Sequence, residues 1–214
     1  MELKVPFLNV TGRQQPLEEI STRLDQQERH SIAQTAWPQG PCPPSVLFSV
    51  AYSPDAVLVK YFVKEAAIRV STMEDNSPVH VDSCVEFFIA FEKEAAYYNF
   101  EFNCVGTALL GFGTCKTNRQ LVPTQVLSRI RRAARIRSMK DSGHRQLEWE
   151  LTIVIPFDVF VFHKITSMKN KSCRANFFKC GDNMPEPHFL SWVRVESATP
   201  DFHLPAYFGD MHYV

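Results

Sequence analysis

The sequence lacks several features that would assign the chain to particular classes of protein. No run of about 18 consecutive apolar residues occurs, so no membrane-spanning helix is predicted. The first residues, MELKVPFLNVTGRQQPLEEIS, lack the basic segment and apolar stretch of a signal peptide. We therefore expect a cytoplasmic protein if Met1 is the native start, and a periplasmic or secreted protein if a leader was removed.

The chain also has no net charge. The 23 basic and 23 acidic residues cancel, which removes the general electrostatic attraction that a nucleic acid or an anionic membrane would exert. We expect no nucleic-acid partner. A neutral or weakly charged ligand suits this composition better.

Cysteine is sparse, and the motifs of metal or nucleophile chemistry are missing. The six cysteines stand mostly inside apolar segments, where a free thiol behaves as a small apolar side chain, and we expect them to be reduced. No CxxC, HxxxH or HExxH spacing occurs, so zinc is not predicted from spacing. No GxSxG motif is present, so no catalytic residue is assigned.

Aromatic residues, by contrast, are abundant. They make up 12% of the chain, with 17 Phe against 3 Trp. From Val46 onward, short apolar or alternating runs are separated by turn residues every 8 to 14 positions, which is typical of an all-β antiparallel β-sandwich. The predicted strands are 46–52, 56–63, 66–71, 84–91, 97–103, 107–113, 129–138, 147–155, 172–180, 190–195 and 211–214.

The domain organisation follows from where this texture begins. Residues 1–44 are predicted to be an irregular lead-in packed on the domain, with a short amphipathic helix within residues 16–34. Residues 45–214 are predicted to form the sandwich. Short peripheral helices are expected, including one turn after the Ile155–Pro156 pair.

Two further patterns concern side-chain placement. In the basic segment RIRRAARIR, we expect a surface strand on which Ile130, Ala134 and Ile136 face inward and the arginines face outward. Trp149 alternates with apolar neighbours and is expected in the core, while Trp37 is expected to cover the domain as a lid.

Six sequence blocks carry a resemblance to a known family. They are SPVHVDSCVEFFIAF, YYNFEFNCVGTALLGFG, LEWELTIVIPFDVF, ANFFKCGDN, FLSW and DFHLPAYFGDMHYV. Their order and spacing resemble those of the family 9 carbohydrate-binding modules and their bacterial relatives of unassigned function. The resemblance implies a non-catalytic sandwich that binds the ends of glycans, with calcium ions supporting its loops in many members.

The resemblance also implies a site. Family members clamp a sugar ring between two tryptophans; here the first position is near Val79, beside His80, and carries no Trp. The second corresponds to Phe202. The acidic hydrogen-bonding residue corresponds to Glu86, and a basic residue on the next strand is replaced by Glu101, so the identity of the sugar does not transfer.

From these considerations we predict a set of ligand contacts. An aromatic platform would stack on the sugar, and carboxylates, which lie on one strand face at even separation, would bind its hydroxyl groups. The predicted carbohydrate-binding residues are Phe202, Glu86, Glu101, Asp82, Trp192, Tyr207, His80 and His203. Trp192 could equally belong to the core. No cofactor is required, although Asp182 and Asn183 offer oxygen ligands in a turn that calcium could use.

Two other functions stay open. Paired carboxylates could instead serve a glycoside hydrolase or an accessory enzyme of carbohydrate catabolism. Alternatively, the departures at Val79 and Glu101 could mean that the sandwich has lost sugar binding and acts as an interaction protein. The favoured prediction is carbohydrate binding without catalysis.

Overall fold

Alternating apolar residues fold this chain into two facing β-sheets. The computed structural model describes residues 1–38, 40–92, 94–141 and 144–214, with the backbone alone at 140, 141, 144 and 145. Gln39, within the predicted lead-in, lies outside the described residues. The strands are β1 (Glu2–Val5), β2 (His30–Ser31), β3 (Ser45–Tyr52), β4 (Ala56–Glu65), β5 (Cys84–Phe91), β6 (Tyr97–Asn103), β7 (Ala108–Gly113), β8 (Arg119–Leu121), β9 (Arg131–Asp141), β10 (His144–Pro156), β11 (Ser172–Cys180), β12 (Phe189–Ser191) and β13 (Gly209–Tyr213).

The larger sheet has the strand order β1-β13-β11-β5-β6-β7-β8, and β12 pairs with the second half of β11. The smaller sheet has the order β2-β3-β4-β10-β9. Neighbouring strands are antiparallel except β1 and β13, which run parallel. The predicted all-β sandwich is therefore confirmed.

Helices are short and peripheral. The α-helix α1 (Leu17–Asp25) buries Ile20 and Leu24 against the outside of the smaller sheet, and α2 (Thr124–Leu127) is a single turn. Three 3-10 turns span Val79–Val81, Phe157–Val159 and Pro205–Tyr207. The turn after Pro156 is where the sequence predicted it.

The core lies between the sheets and consists mainly of aromatic rings. Phe177 on β11 stacks on Phe48 of the smaller sheet, with ring centroids 3.8 Å apart, and on Phe87 at 4.8 Å. Trp149 is 1% exposed in this cluster, as predicted. Because side chains alternate along a strand, the residues between these core positions point to the opposite face of the larger sheet.

Most predicted strands are confirmed, but one is wrong. Residues 66–71 form no strand, because β4 continues to Glu65 and the chain then leaves the sheet. The predicted strand at 190–195 is only Phe189–Ser191, because the chain turns away after pairing with three residues of β11.

The prediction that residues 1–44 are irregular is also wrong. This segment contributes β1 to the larger sheet and β2 to the smaller one. Backbone pairing between Gln34 and Ser191 of β12 attaches the N-terminal segment to the sandwich at one more point. The segment is therefore built into both sheets.

The basic segment forms β9, the outer strand of the smaller sheet, but its side chains differ from expectation. Ile130 is buried just before the strand, whereas Ala134 and Ile136 are exposed, Ile136 by 44%. Ala134 and Ile136 pair with core residues of β10, so they point to the inner side of the smaller sheet. At β9 that side is open to solvent. Arg132 shares that side and binds Asp75 at 2.8 Å, so the arginines do not all face outward.

Candidate functional site

A cleft of about 320 Å³ opens on the outer face of the larger sheet. Its floor comes from alternate residues of β5, β6, β7 and β11, the ones that point away from the core. Its walls come from the 3-10 turn at Val79–Val81, the turn after β11, β8 with the hairpin before it, and the segment before β13. The lining residues are His80, Glu86, Asn99, Glu101, Leu109, Gly111, Lys116, Arg119, Leu121, Cys180, Asp182, Phe189, Pro200, Asp201, Phe202 and His203.

Two glutamates lie side by side on the floor. Glu86 of β5 is directly opposite Glu101 of β6, and they are only 3% and 5% exposed. Burial raises the pKa of Glu86 well above its usual range, and Cys180 and Glu101 raise it further. The Cys180 thiol donates a hydrogen bond to Glu86 Oε1 at 3.0 Å.

A chain of hydrogen bonds fixes the second glutamate. Arg119 Nε donates to Asn99 Oδ1 at 2.7 Å, and Asn99 Nδ2 donates to Glu101 Oε1 at 2.8 Å. The other nitrogens of Arg119 donate to backbone carbonyls, including that of Tyr97 at 2.8 Å. Arg119 therefore acts by holding Asn99, and through it Glu101, in one orientation.

Gly111 leaves the space for this arrangement. A Cβ atom there would lie 2.7 Å from Asn99 Oδ1 and 3.2 Å from Arg119 Nε. Any larger residue would push the amide and the guanidinium apart.

The other oxygen of Glu101 is an open acceptor. Among the described residues, Glu101 Oε2 is buried and has no hydrogen-bond partner. His80 Nδ1 lies 3.8 Å from it, and the interaction with Glu101 raises the pKa of His80. A buried carboxylate oxygen without a donor is costly, so this position favours a ligand that brings one.

An aromatic wall faces these polar groups. Phe202 stacks on Phe178 with ring centroids 4.2 Å apart and contacts Trp37 at 5.9 Å. Phe202 is 8% exposed, so it offers the cleft a smaller surface than the predicted platform. Trp37 packs behind this wall as part of the outer cluster.

His203 completes the wall in a neutral form. Its Nδ1 hydrogen-bonds the Tyr97 hydroxyl at 2.9 Å, and its ring contacts Phe88. Burial and, to a smaller extent, the nearby Arg119 together lower the pKa of His203 to about 4.

Of the predicted contact residues, the structure brings five to the cleft: His80, Glu86, Glu101, Phe202 and His203. The other three, Asp82, Trp192 and Tyr207, do not line the cleft, and their contacts explain why.

Trp192 lies between the sheets, 4% exposed, with its ring against Phe48 and Phe177. Asp82 is fully buried and accepts hydrogen bonds from Ser71 and Asn103, so it holds a loop. Tyr207 packs on the edge of the outer aromatic cluster, away from the cleft.

The predicted calcium ligands behave differently from each other. Asp182 lines the cleft, and burial raises its pKa, although His80 opposes this. The backbone N–H of Asn183 donates to the Val81 carbonyl. In the part of the chain that the structure describes, no group of three acidic, histidine or cysteine ligand atoms includes Asp182, so calcium here stays a prediction.

The sequence did not lead us to Asn99, Arg119 or Lys116. Asn99 lies two positions from Glu101 on the same strand face, so alternation could have found it. Lys116 lies in the hairpin before β8, and Arg119 lies on the short strand β8 itself. Neither segment has a periodic sequence pattern.

Comparison with known proteins agrees with this architecture. The model of carbohydrate-binding family 9 matches residues 18–213 of the chain. The chain belongs to carbohydrate-binding family 9. The predicted family is confirmed, and the match begins inside the segment that we had expected to be an irregular lead-in packed on the domain.

Three solved structures are similar to the chain. A candidate carbohydrate-binding protein from Bacteroides uniformis is 34% identical, with a TM-score of 0.88, over 100% of this chain and 99% of that one. Two structures of a family 9 module from Caldicellulosiruptor kristjanssonii share the fold. The complex with cellotriose is 8% identical with a TM-score of 0.57, covering 100% of this chain and 93% of that one. The glucose complex is 10% identical with a TM-score of 0.60, covering 100% and 96%.

No curated protein matches the chain. In the described residues, no helix is long and apolar enough to cross a membrane.

Proposed function

We propose that this family 9 module binds the end of a neutral glycan in the cleft and performs no chemistry on it. The observation that carries the proposal is the buried Oε2 of Glu101 on the cleft floor, which accepts no hydrogen bond from any described residue. A sugar hydroxyl donates the hydrogen bond that this oxygen lacks. Charge-assisted bonds of this kind are stronger than neutral ones.

The remaining surface of the cleft suits a sugar. Leu109, Phe189 and Phe202 offer apolar surface for the C–H faces of a pyranose, and His80 and Lys116 offer hydrogen-bond donors. A volume of about 320 Å³ lies at the small end of ligand pockets, which favours a short glycan end over the middle of a polymer. The open cleft also argues against a sandwich that serves only as an interaction protein.

The paired glutamates raise the possibility of hydrolysis, since the raised pKa of Glu86 is typical of a general acid. A glycosidase, however, places its two carboxyl groups on either side of the scissile bond. Glu86 and Glu101 are neighbours on one floor, and a ligand would lie above both. This arrangement favours binding.

Isothermal titration calorimetry with glucose, cellotriose and a panel of other mono- and oligosaccharides tests the proposal. We expect saturable binding by the wild type and at least about tenfold weaker binding by Glu101→Gln, because a hydrogen bond to a charged group contributes about 1.5–3 kcal/mol. Phe202→Ala should also weaken binding, by loss of the apolar wall.

Glu196→Gln, an exposed site outside the cleft, is the matched control and should bind like the wild type. Silence across the panel, or equal affinity of Glu101→Gln, would overturn the proposal. Release of reducing sugar that Glu101→Gln abolishes would instead indicate a hydrolase.

A further inference from the structure

Two thiols and a carboxyl group meet at one end of the cleft floor. Cys84 and Glu86 are two positions apart on β5 and share a face, and Cys180 of β11 is directly opposite Cys84. The Sγ atoms of both cysteines and a carboxylate oxygen of Glu86 all lie within 4.8 Å of one another. All three side chains are buried.

The two cysteines pack within the outer hydrophobic cluster, and Cys180 also makes polar contacts with its neighbours. Cys180 donates to Glu86, and a longer contact of 3.6 Å runs from its thiol to the His80 carbonyl. Both cysteines are free, and burial raises the pKa of Cys84 to about 11. Burial also raises the pKa of Cys180, so both cysteines are uncharged thiols without a ligand.

The donor set matches a particular class of ion. Zinc prefers sulfur, nitrogen and carboxylate oxygen in a tetrahedral arrangement, with Zn–S about 2.3 Å and Zn–O about 2.0–2.2 Å. Those lengths require donor atoms about 3.5–3.8 Å apart. Cys180 Sγ and Glu86 Oε1 are already 3.0 Å apart and would separate slightly, whereas the other pairs lie within 4.8 Å and would approach by about 1.3 Å at most.

An ion could reach this cluster, because Glu86 and Cys180 both line the cleft. On the strand next to Glu86, the buried Oε2 of Glu101 accepts no hydrogen bond from the described residues. It would accept a hydrogen bond from a water molecule on the ion.

We propose that Cys84, Glu86 and Cys180 bind one zinc-like divalent ion, with the fourth coordination position facing the cleft. On binding, two S–H bonds are exchanged for two S–metal bonds, and the thiol protons pass to solvent together with that of Glu86 where it is protonated. No electrons are transferred. Three protein ligands and one open position would place a Lewis acid at the floor of the cleft.

The test is titration of the whole chain with Co²⁺, which takes the same ligands as zinc and gives a sulfur-to-metal charge-transfer absorption. We expect one equivalent of Co²⁺ to produce this absorption in the wild type and one equivalent of Zn²⁺ to remove it. Cys84→Ser and Cys180→Ser should bind at least about 100-fold more weakly. Circular dichroism and thermal melts would verify that these variants are folded.

Cys173→Ser is the matched control, since Cys173 is buried on the same β11 strand but faces the core. Glu86→Gln provides a variant that keeps both thiols and should weaken binding with little change in shape. Absence of the absorption in the wild type, or its retention in Cys84→Ser and Cys180→Ser, would overturn the proposal.

A thiol count two lower than expected in the wild type, restored by a reductant, would also overturn it, because the pair would then be a disulfide. None of these measurements requires sugar. The metal site and the glycan site can therefore fail independently.

Discussion

Buried hydrogen bonds hold individual side chains of the cleft in place, and His203 is the clearest case. Its ring is held against Phe88 and bound to the Tyr97 hydroxyl, and burial lowers its pKa to about 4. In the unfolded chain the pKa is about 6.5. Between these two values the unfolded state binds more protons than the folded state.

We therefore predict that His203 makes the fold sensitive to acid. Its contribution is fully present above pH 6.5 and is lost as the pH falls toward 4, with a loss on the order of 2 kcal/mol. Urea unfolding of the wild type and His203→Phe from pH 7 to pH 4.5 measures this. The variant should lose less stability across that window.

His212→Asn, at a partly exposed position on β13, serves as the control and should follow the wild type. Identical pH dependence of the wild type and His203→Phe would contradict the prediction.

At this scale the sequence predicted the cleft residues only in part. The positions of Glu86 and Glu101 followed from the resemblance, and alternation explains why they share a face. Asp82 was placed with them because it is two positions from Cys84, yet it precedes β5 and its side chain turns to Ser71. Trp192 packs between the sheets, on the same side as Leu190 two positions earlier.

Among the elements, β1 shows how the N-terminal segment belongs to the fold. It pairs with β13 at the edge of the larger sheet and buries Leu3 and Val5, while Glu2 and Lys4 face solvent. Full burial of such a side chain contributes roughly 1.5–3 kcal/mol. The strand is therefore worth a substantial part of a typical free energy of unfolding.

The double variant Leu3→Ala/Val5→Ala tests this contribution. We expect its free energy of unfolding in urea to fall by at least about 3 kcal/mol, because both substitutions remove buried apolar surface and leave cavities. Lys4→Ala, between them on the exposed face, should change stability by less than about 0.5 kcal/mol. A loss below 1 kcal/mol in the double variant would mean that β1 adds little to the domain.

Long apolar strands were predictable, whereas the very short strands β1, β2 and β8 were not. The bounds of β5, β6 and β11 agree with prediction residue for residue, because their runs are long and bounded by turn residues. β1, β2 and β8 have two to four residues each, too few for a period to be recognised. Their pairing is decided by distant partners along the chain.

The two sheets are joined by a buried ionic contact as well as by aromatic packing. Lys179 of β11 is fully buried between them, and its ammonium lies 3.1 Å from Glu65 of β4. Glu65 also accepts a hydrogen bond from Trp149 at 2.6 Å, and Lys179 contacts His188 at 2.7 Å. This contact fixes one end of the sandwich.

Removing one partner leaves a buried charge uncompensated. We predict that Lys179→Met lowers the free energy of unfolding by about 3–5 kcal/mol. Adding Glu65→Gln should recover at least about 1 kcal/mol, since glutamine removes the orphaned charge and still accepts from Trp149. Chemical denaturation of the single and double variants gives both values.

Lys64→Met is the matched control. Lys64 is next to Glu65 on β4, but its side chain pairs with Glu148 on the exposed face of the smaller sheet. Its effect should stay within about 1 kcal/mol. A double variant as unstable as Lys179→Met alone would show that the charge of Glu65 is not the cause.

The parallel pairing of β1 and β13 also has a mechanical consequence. The two strands lie side by side and run in the same direction, so a pull on Met1 and Val214 in opposite senses slides one strand along the other. The hydrogen bonds of the pair then resist the force together, since they are evenly spaced along it. An antiparallel pair pulled open from one end would instead release its bonds one after another. Tension on a module tethered at both ends would therefore load the β1–β13 pair in shear, the direction in which its hydrogen bonds resist together.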